Sequence, residues 1–302
     1  MNDVVGADSH RRPGPWASGR FDIEGHRGAA GLAPENTVAS FLAAFETGAT
    51  GVELDVRLSA DGHVVVWHDP TLRADKCRSD AGLVGARVDE LTLAQLQTVD
   101  VGSLTAPEFP HQRAAPGARI LTLLQLLEAC GDWAPDVWWT IEVKVDPTDH
   151  RSRATRSQLV EEVMAVVHRV GVARRCFIHS FDWAVLDAAR DLDPGVLRSA
   201  LAEVGDTYRP GSAWLGSVRW EDHRDDLAGA AAALGAHVVA PDFGACDRDF
   251  VTRAHDLGLG VLPWTVNEPD DQHRMVEIGV DGFITDYPDR ALALLGLGAQ
   301  RG

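Results

Sequence analysis

Hydrophobic and polar positions alternate along the chain in a rhythm of short apolar runs and longer helical patterns. The apolar runs are "FDIEGHRG", "GVELDVRL", "HVVVWHD", "WWTIEVK", "CFIHSF", "LRSALAEV", "HVVAPDF", "GLGVLPWTV" and "DGFITDYP". A helical pattern from Glu35 to Thr47 follows the first run. This alternation predicts parallel strands joined by crossover helices, and therefore an α/β fold class. A (β/α)8 barrel has eight strands, so the nine runs are one more than this fold needs.

The extra strand has a local explanation at the second and third runs. The residues "SADG" between them are turn formers, so the two runs are predicted to form a β-hairpin. If Leu58 pairs with His63, then Glu53 lies opposite His68. Asp55 shares the face of Glu53, because side chains alternate along a strand. We therefore predict two carboxylates and a histidine on one face of the hairpin.

Other apolar runs also end in polar residues. Glu142 and Lys144 in "IEVK" share one face, and Ser180 ends "CFIHS". Charged residues at the ends of several strands are typical of a TIM-type (β/α)8 barrel whose site is built at one rim. The structural alternative is a doubly wound open sheet. Its first strand normally leads into a GxGxxG loop, and "GHRGAAG" lacks that spacing. We predict the barrel, with the hairpin as an irregularity at strands 2 and 3.

The pattern divides the chain into three parts. Residues 1–20 lack strand or helix signals and are predicted to be a flexible N-terminal arm. Residues 21–295 are predicted to form a single barrel domain. Within it, residues 70–118 break the alternation with many turn formers, so they are predicted to be a small insertion over the rim.

Composition narrows the partners and the compartment. The net charge of -17 argues against nucleic acid or an anionic membrane as a partner. The four cysteines contain no CxxC pair, which favours reduced thiols. The N-terminal residues show no apolar stretch typical of a signal peptide or membrane anchor, so we expect no stable membrane insertion and a cytoplasmic location. No feature predicts the oligomeric state.

Three acidic residues are candidate metal ligands. Glu53, Asp55 and Glu142 would converge at one rim, and carboxylates that close must share a proton or bind a cation. Oxygen ligands favour Mg²⁺ or Ca²⁺ over zinc. The alternative is that these acids form salt bridges with Arg57 and Lys144.

Two histidines and three further residues are candidates for catalysis and substrate binding. His26 and His68 are suited to proton transfer near neutral pH, although a histidine on an apolar strand is more often a core residue. Arg27 offers a planar set of donors that matches phosphate oxygens, and Lys144 adds a point charge. Trp264 would form a wall of the pocket or pack in the barrel.

The "PENT" segment after the first run starts the predicted helix. Glu35 and Asn36 would either cap its free N–H groups or brace the metal ligands, and capping is the role we predict.

Together these residues resemble the glycerophosphodiester phosphodiesterase family. The resemblance runs through "HRG", "PENT", "ELDV", "DG", "VVVWHD", "IEVK", "SF", "WTVN" and "GVDGFITDYP", in order, across roughly residues 21 to 290. It implies a catalytic pair in His26 and His68, ligands for one divalent cation in Glu53, Asp55 and Glu142, and a phosphate and alcohol site lined by Arg27, Lys144 and Trp264. The family fold is the barrel already predicted.

The resemblance also implies the reaction. It is the metal-dependent hydrolysis of a small-molecule glycerophosphodiester to sn-glycerol 3-phosphate and an alcohol, with histidine acid and base catalysis. The nucleophile is either water or the substrate's 2-hydroxyl, and the acid and the base are not assigned between the histidines. The chain has "RADKCRSDAG" and "ILTLLQ" where many members have other sequences, so the head-group preference is open.

Three other functions compete with this one. A lysophospholipase D-type or sphingomyelinase D-like phosphodiesterase on the same barrel would need an apolar groove, and the insertion shows no long amphipathic stretch. A metal-dependent amidohydrolase would need two histidines two residues apart after the first strand. A binding protein on an inactive barrel is disfavoured because every position of the motif set is filled.

Overall fold

Each of the nine apolar runs forms a strand. In the computed structural model, residues 12–131, 133 and 135–296 are described. The strands are β1 (Asp22–Gly25), β2 (Gly51–Leu58), β3 (Val64–Val66), β4 (Trp138–Val143), β5 (Cys176–Ser180), β6 (Leu197–Ala202), β7 (Val238–Pro241), β8 (Gly260–Val261) and β9 (Gly282–Thr285). The helices are α1 (Val38–Thr47), α2 (Leu93–Leu96), α3 (Leu123–Gly131), α4 (His150–Ala154), α5 (Arg156–Val170), α6 (Trp183–Leu192), α7 (Trp220–His223), α8 (Leu227–Leu234), α9 (Arg248–Asp256), α10 (Pro269–Ile278) and α11 (Pro288–Leu294).

The parallel strands close into a barrel. Their order is β8-β7-β6-β5-β4-β2-β1-β9, and β3 pairs with β2 antiparallel outside this path. The backbone of Ile284 in β9 donates to Pro263 O over 2.9 Å, and Val266 N donates to Ile284 O over 2.9 Å. These bonds join β9 to the chain after β8 and close the ring. The predicted TIM-type (β/α)8 barrel is confirmed, and the open sheet is excluded.

The hairpin forms, but its predicted register is wrong by one residue. Leu58 pairs with Val64 rather than with His63, so Glu53 is not opposite His68. The cause is the turn, because Ser59 N donates to His63 O over 2.9 Å and the connection takes one more residue than expected. Strand β3 ends at Val66, two residues before His68. His68 therefore reaches the rim from the segment after the strand.

Helix α1 begins at Val38, three residues after the predicted start at Glu35. Asn36 has a φ of 58°, which is left-handed and outside the helical range. The N-cap is Thr37, whose side chain accepts a hydrogen bond from Ser40 N. The predicted capping role of Glu35 and Asn36 is therefore wrong.

The segment before the first strand packs on the barrel. Of the predicted arm 1–20, residues 1–11 lie outside the described part of the chain. Trp16 is buried and stacks on Phe177 with ring centroids 5.8 Å apart. Arg12 donates to Asp281 over 2.7 Å. Since Phe177 lies near the start of β5, this segment covers the N-terminal end of the barrel and, from residue 12 onward, differs from the flexible arm that we predicted.

The insertion has a small core of its own. Its apolar side chains pack against the hairpin in one cluster, whose buried members are Val65, Trp67, Leu72, Cys77, Val88, Leu91, Leu96, Val99, Val101 and Ile120. Within residues 70–118 the regular elements are α2 and a 3₁₀ turn at Val88–Glu90. The segment is therefore ordered by burial of its own side chains against Val65, on the face of the hairpin that also carries Arg57.

The four cysteines are all free and buried. Burial raises the pKa of the Cys130 thiol to about 12, so it is an unreactive core residue. This agrees with the reduced thiols expected from the sequence, while the cytoplasmic location stays a prediction. Among the described residues, no helix combines the length and the apolar character needed to cross a membrane.

Two acids lie inside the barrel below the rim. Asp22 and Glu24 on β1 are fully buried. Thr50 donates to Asp22, and Thr140 donates to Glu24 over 2.9 Å. Burial is the main cause that raises the pKa of Asp22 to about 6 and the pKa of Glu24 well above its usual value. Gly51 leaves room for this layer, because a Cβ there would lie 2.7 Å from the Glu24 side chain.

These acids should make stability depend on pH. Carboxyls of the unfolded chain lose their protons at about pH 4, whereas in the folded barrel Asp22 keeps its proton to about pH 6. Their contribution is therefore complete below about pH 4 and is lost as pH rises through 6. We expect the Asp22→Asn, Glu24→Gln double variant to remove about 1–3 kcal/mol of this pH dependence in urea unfolding between pH 4.5 and 7. An unchanged dependence would contradict a protonated pair.

Candidate active site

The residues singled out from the sequence meet at the C-terminal ends of the barrel strands. His26 and Arg27 follow β1, Glu53 lies in β2, and Lys144 follows β4. A cavity of about 100 Å³ opens there, and its lining residues are His26, Arg27, Glu53, His68, Glu142, Lys144, His179, Phe181, Leu201, Trp264, Thr265 and Ile284. Of the eight residues named above as site candidates, Asp55 alone is not part of this lining, and it lies beside Glu53 and Glu142.

The three acids form a compact, buried cluster. Glu53, Asp55 and Glu142 each offer a carboxylate oxygen within 4.8 Å of the others. The parallel register explains this, because Asp55 lies directly beside Glu142 on the neighbouring strand. Burial, followed by the charges of Asp55 and Glu142, raises the pKa of Glu53 well above its usual value. Glu53 Oε1 is buried without a hydrogen-bond partner. Such a set of unsatisfied hard oxygens fits a divalent cation of the Mg²⁺ or Ca²⁺ type.

Two cations lie against the acids. Lys144 Nζ is 2.6 Å from Glu142 and 3.0 Å from Asp55, and Arg27 Nε is 3.2 Å from Asp55. Burial opposes ionisation of Asp55, but Lys144 and Arg27 outweigh it and lower its pKa well below the usual value. Of the salt bridges considered from the sequence, the one to Lys144 forms. Arg57 makes none, since no carboxylate of the described residues lies within 4.0 Å of it.

The loop after β1 is bent to bring Arg27 to the cluster. Its backbone has a φ of 50°, and its N–H donates to Glu53 over 2.9 Å. Its guanidinium donates to Glu35 over 3.0 Å. Gly28 follows with a φ of 89°, and a Cβ there would lie 2.5 Å from Ser40 Oγ. The "HRG" sequence is thus needed for the turn as well as for the chemistry.

Asn36 braces Asp55, a candidate metal ligand, instead of capping the helix. Its Nδ2 donates to Asp55 Oδ2 over 2.8 Å, and its Oδ1 accepts from Asp55 N over 3.3 Å. The left-handed backbone at Asn36 turns the side chain toward β2. The bracing role that the sequence left as the second choice is therefore the one observed.

His26 is held by residues that the sequence reading missed. Its Nδ1 lies 2.6 Å from Asp286, and Asn267 donates to the other oxygen of Asp286 over 2.7 Å. Burial opposes ionisation of Asp286, but His26 and the hydrogen bonds lower its pKa. With Nδ1 engaged, Nε2 is left on the side of Glu53, 3.9 Å away. The sequence did contain a feature that could have identified Asp286, because this residue follows the strand "GFIT" just as other candidate site residues follow their strands.

His68 is held through the insertion. Its Nδ1 lies 3.3 Å from Asp69, and its carbonyl accepts from Arg57 Nε over 2.7 Å. Burial is the main cause that lowers the pKa of His68, so it is neutral near pH 7. Lys76 then bridges Asp69 and Glu35 over 2.7 Å and 2.8 Å. No motif marks this lysine in the sequence, since only the fold of the insertion brings it to the rim.

Aromatic rings form one wall of the cavity. Phe181 stands edge to face with Trp264 at 5.3 Å and with Trp214 at 6.4 Å. Trp264 Nε1 donates to Ala240 O over 2.9 Å, which fixes the indole. The predicted placement of Trp264 at the pocket wall is observed. Phe181 was missed, although it is part of the "SF" motif quoted above.

The arrangement unites a carboxylate cluster, two cations and two oriented imidazoles. A sequence profile described as the Glycerophosphoryl diester phosphodiesterase family matches residues 26–290. The chain belongs to this family. The resemblance noted from the motifs is confirmed, and the protein is an enzyme of the phosphodiesterase class.

Several relatives cover almost the full length of the chain. A glycerophosphodiester phosphodiesterase of Caldanaerobacter subterraneus subsp. tengcongensis is 30% identical, over 90% of this chain and 97% of its own. A probable glycerophosphodiester phosphodiesterase 1 of Mycobacterium tuberculosis is 32% identical, over 95% and 98%.

Solved structures share the fold. A putative family member from Silicibacter pomeroyi has a TM-score of 0.81 at 35% identity, covering 91% of this chain and 92% of its own. A phosphodiesterase from Oleispira antarctica, solved in complex with the product sn-glycerol-3-phosphate, has a TM-score of 0.70 at 23% identity, covering 92% and 98%.

The brace from Asn36 gives a test of the cluster's energetics. We expect Asn36→Ala to lower the free energy of unfolding by about 1–3 kcal/mol, because buried Asp55 loses a donor and alanine is strained at this backbone angle. Asn36→Gly tolerates the left-handed backbone and should lose less. Urea unfolding at neutral pH measures both. Equal stability of Asn36→Ala and the wild type would show that the brace contributes nothing.

Proposed function

We propose that this enzyme hydrolyses glycerophosphodiesters to sn-glycerol 3-phosphate and an alcohol, with one bound Mg²⁺ or Ca²⁺. The observation that carries the proposal is the convergence of the three-carboxylate cluster with Arg27, Lys144 and two histidines on one cavity. Family membership supports the reaction class. The product complex of the Oleispira antarctica relative supports sn-glycerol 3-phosphate as the product.

Glu53, Asp55 and Glu142 would hold the cation. When bound, the cation supplies positive charge that neutralises the phosphoryl oxygens and orients the substrate. The three acids keep their places without it through fixed contacts, with Arg27 N donating to Glu53 and Asn36 donating to Asp55. The site is thus preorganised by the chain itself.

Arg27 and Lys144 are suited to bind the scissile phosphate. Arg27 is held in ion pairs on one side by Glu35 and Asp55 while it lines the cavity on the other. Lys144 is likewise fixed by Glu142. Burial lowers the pKa of Lys144, but Asp55 and Glu142 outweigh burial and raise it, so the ammonium stays charged. Two prepositioned charges stabilise the charge that develops as the phosphorus is attacked.

His26 and His68 would carry the protons. An oxygen nucleophile, from water or from the substrate's 2-hydroxyl, bonds to phosphorus and gives its proton to one imidazole. The bond from phosphorus to the alcohol oxygen breaks, and the other imidazole protonates that oxygen. With water as nucleophile this gives sn-glycerol 3-phosphate directly. With the 2-hydroxyl it gives a cyclic phosphate, which a water molecule then opens by attack on phosphorus and cleavage of the bond to the 2-oxygen. Asp286 orients His26 through Nδ1, and burial keeps His68 neutral and able to accept a proton.

A lysophospholipase D-type or sphingomyelinase D-like activity is the second candidate. It needs an apolar surface for an acyl chain next to the cavity. The groove that adjoins the cavity mixes apolar residues such as Leu159 and Trp214 with charged residues, whose desolvation by an acyl chain would be costly; the charged residues include Arg57, Arg87, Asp89, Asp146 and Asp149. This lining favours a small polar alcohol over a lipid chain.

The first test is release of sn-glycerol 3-phosphate from glycerophosphoglycerol and glycerophosphoethanolamine. We expect activity to be lost in EDTA and restored by Mg²⁺ or Ca²⁺. Glu53→Gln should abolish both the restored activity and the cation binding measured by calorimetry, because it removes a charged ligand from the cluster. Glu90→Gln, at an exposed ion pair with Arg151, is the matched control and should behave as wild type.

The outcomes separate the two candidates. No release from the folded, cation-loaded enzyme, together with choline release from lysophospholipids, would replace the proposed reaction by the second one. Normal cation binding by Glu53→Gln would remove Glu53 from the ligand set.

The histidines give a second test. We expect His26→Ala and His68→Ala each to lower kcat by about 10²-fold or more, with unchanged circular dichroism, since each removes a proton carrier. His63→Ala, at an exposed histidine of the same hairpin, is the control and should keep full activity. Turnover within a few-fold of wild type for either variant would exclude that histidine from catalysis.

A further inference from the structure

A second groove continues from the active-site cavity. It shares His68, Glu142, Lys144 and Phe181 with the cavity, and so begins where the substrate would be cleaved. From there it runs between the insertion, at Pro70 and Val88, and the helices α4 and α5, whose lining residues are Ser152, Thr155 and Leu159. A group attached to the scissile phosphate on this side would lie in the groove.

Arg57 lines this groove without a direct ion pair, and the acidic charges that act on it from further away include Asp55 and Glu142 of the carboxylate cluster. It is on β2 two residues beyond Asp55, so it shares the face of the carboxylate cluster and lies roughly 7 Å further toward the rim. Its Nε donates to the carbonyl of His68. Among the described residues no carboxylate lies within 4.0 Å of its guanidinium.

The other cations of the groove make direct ion pairs. Arg87 makes two hydrogen bonds to Asp89, at 2.8 Å and 2.7 Å, and a third to Asp149 at 2.8 Å. Lys144 is paired with Glu142 at 2.6 Å. Only Arg57, among the cations described in the groove, keeps terminal N–H donors without an acidic partner. A partly buried guanidinium in this state lacks the direct ion pair that offsets desolvation most fully.

We propose that Arg57 recognises an anionic group on the leaving alcohol, so that the groove selects glycerophosphodiesters whose alcohol carries a carboxylate or a further phosphate. The proposal rests on the function proposed above. The spacing fits, because the carboxylate of a serine head group is three bonds from the bridging oxygen, on the outward side of the phosphate. The guanidinium offers planar paired donors that match such a group.

The groove also has a feature that points to a different head group. Phe181 and Trp214 form an aromatic wall, and such walls bind quaternary ammonium groups in other proteins. A free guanidinium in the same groove repels a cationic head group, however. We therefore favour the anion, and the choline substrate becomes an outcome of the test.

The test compares glycerophosphoserine with glycerophosphoethanolamine, which differ only by one carboxylate. For the wild type we expect a higher kcat/KM with the serine substrate. Arg57→Gln should lower the serine-to-ethanolamine ratio of kcat/KM by about 10- to 100-fold, the effect of losing one charge-assisted hydrogen bond. Arg57→Lys keeps the charge and should lower the ratio much less. Arg253→Gln, at an exposed ion pair with Asp226, controls for net charge and should leave the ratio unchanged.

The serine-to-ethanolamine ratio of kcat/KM distinguishes recognition of the head group by Arg57 from positioning of His68 by Arg57. If Arg57 acts only by holding the His68 carbonyl, Arg57→Gln lowers kcat for both substrates equally and the proposal is wrong. A preference for glycerophosphocholine that is lost in Trp214→Ala would also overturn it, in favour of the aromatic wall. If glycerophosphoglycerol, whose alcohol is neutral, is not cleaved by any of these proteins, the hydrolysis itself fails and the proposal fails with it.

Discussion

Repulsion among three buried carboxylates is the constraint around which the mouth of the barrel is organised. Neighbouring parallel strands bring Glu53, Asp55 and Glu142 together, away from bulk water, where their like charges are costly. The chain offsets this cost with Arg27 and Lys144 in direct contact with the cluster. The same two cations are those proposed above to bind the phosphate, so the contacts that make the cluster tolerable would also prepare the site for an anionic substrate.

The loops around the cluster follow from the same constraint. A left-handed turn at Arg27 lets its N–H reach Glu53, and a second one at Asn36 lets the amide reach Asp55. Lys76, from the insertion, ties Glu35 to Asp69 and thereby links the two loops that carry Arg27 and His68. The insertion is therefore part of the electrostatic balance of the site.

The barrel and the convergence of the candidate site residues were predictable because both rest on local patterns. Nine apolar runs of strand length led to nine strands, and polar residues such as Glu142 at their ends led to one rim. The predictions that were wrong concern features that depend on single turns or on contacts between residues distant in the chain. The hairpin slipped by one residue because the turn after Leu58 takes one more residue than its sequence suggested. His68 still reached the site because β3 ends before it.

Residues that act through others were the hardest to find. Asn36 was expected to cap a helix, and the bend that turns it toward Asp55 has no signature that propensity can detect. Asp286 orients His26 from a strand 260 positions away in the chain, although it ends its strand in the manner of the other site residues. Trp16 precedes any strand signal, and only the assembled barrel offers it Phe177 as a partner.

The position of Trp16 defines where the folded unit begins. The strand pattern suggests a boundary at residue 21, yet a chain cut there would lose the indole that covers Phe177 and the guanidinium that neutralises Asp281. Water would then reach the N-terminal end of the barrel, which is the end opposite the candidate active site. Truncated versions for crystallisation or display should therefore retain residues 12–20, although this segment lies at the end of the barrel opposite the candidate active site.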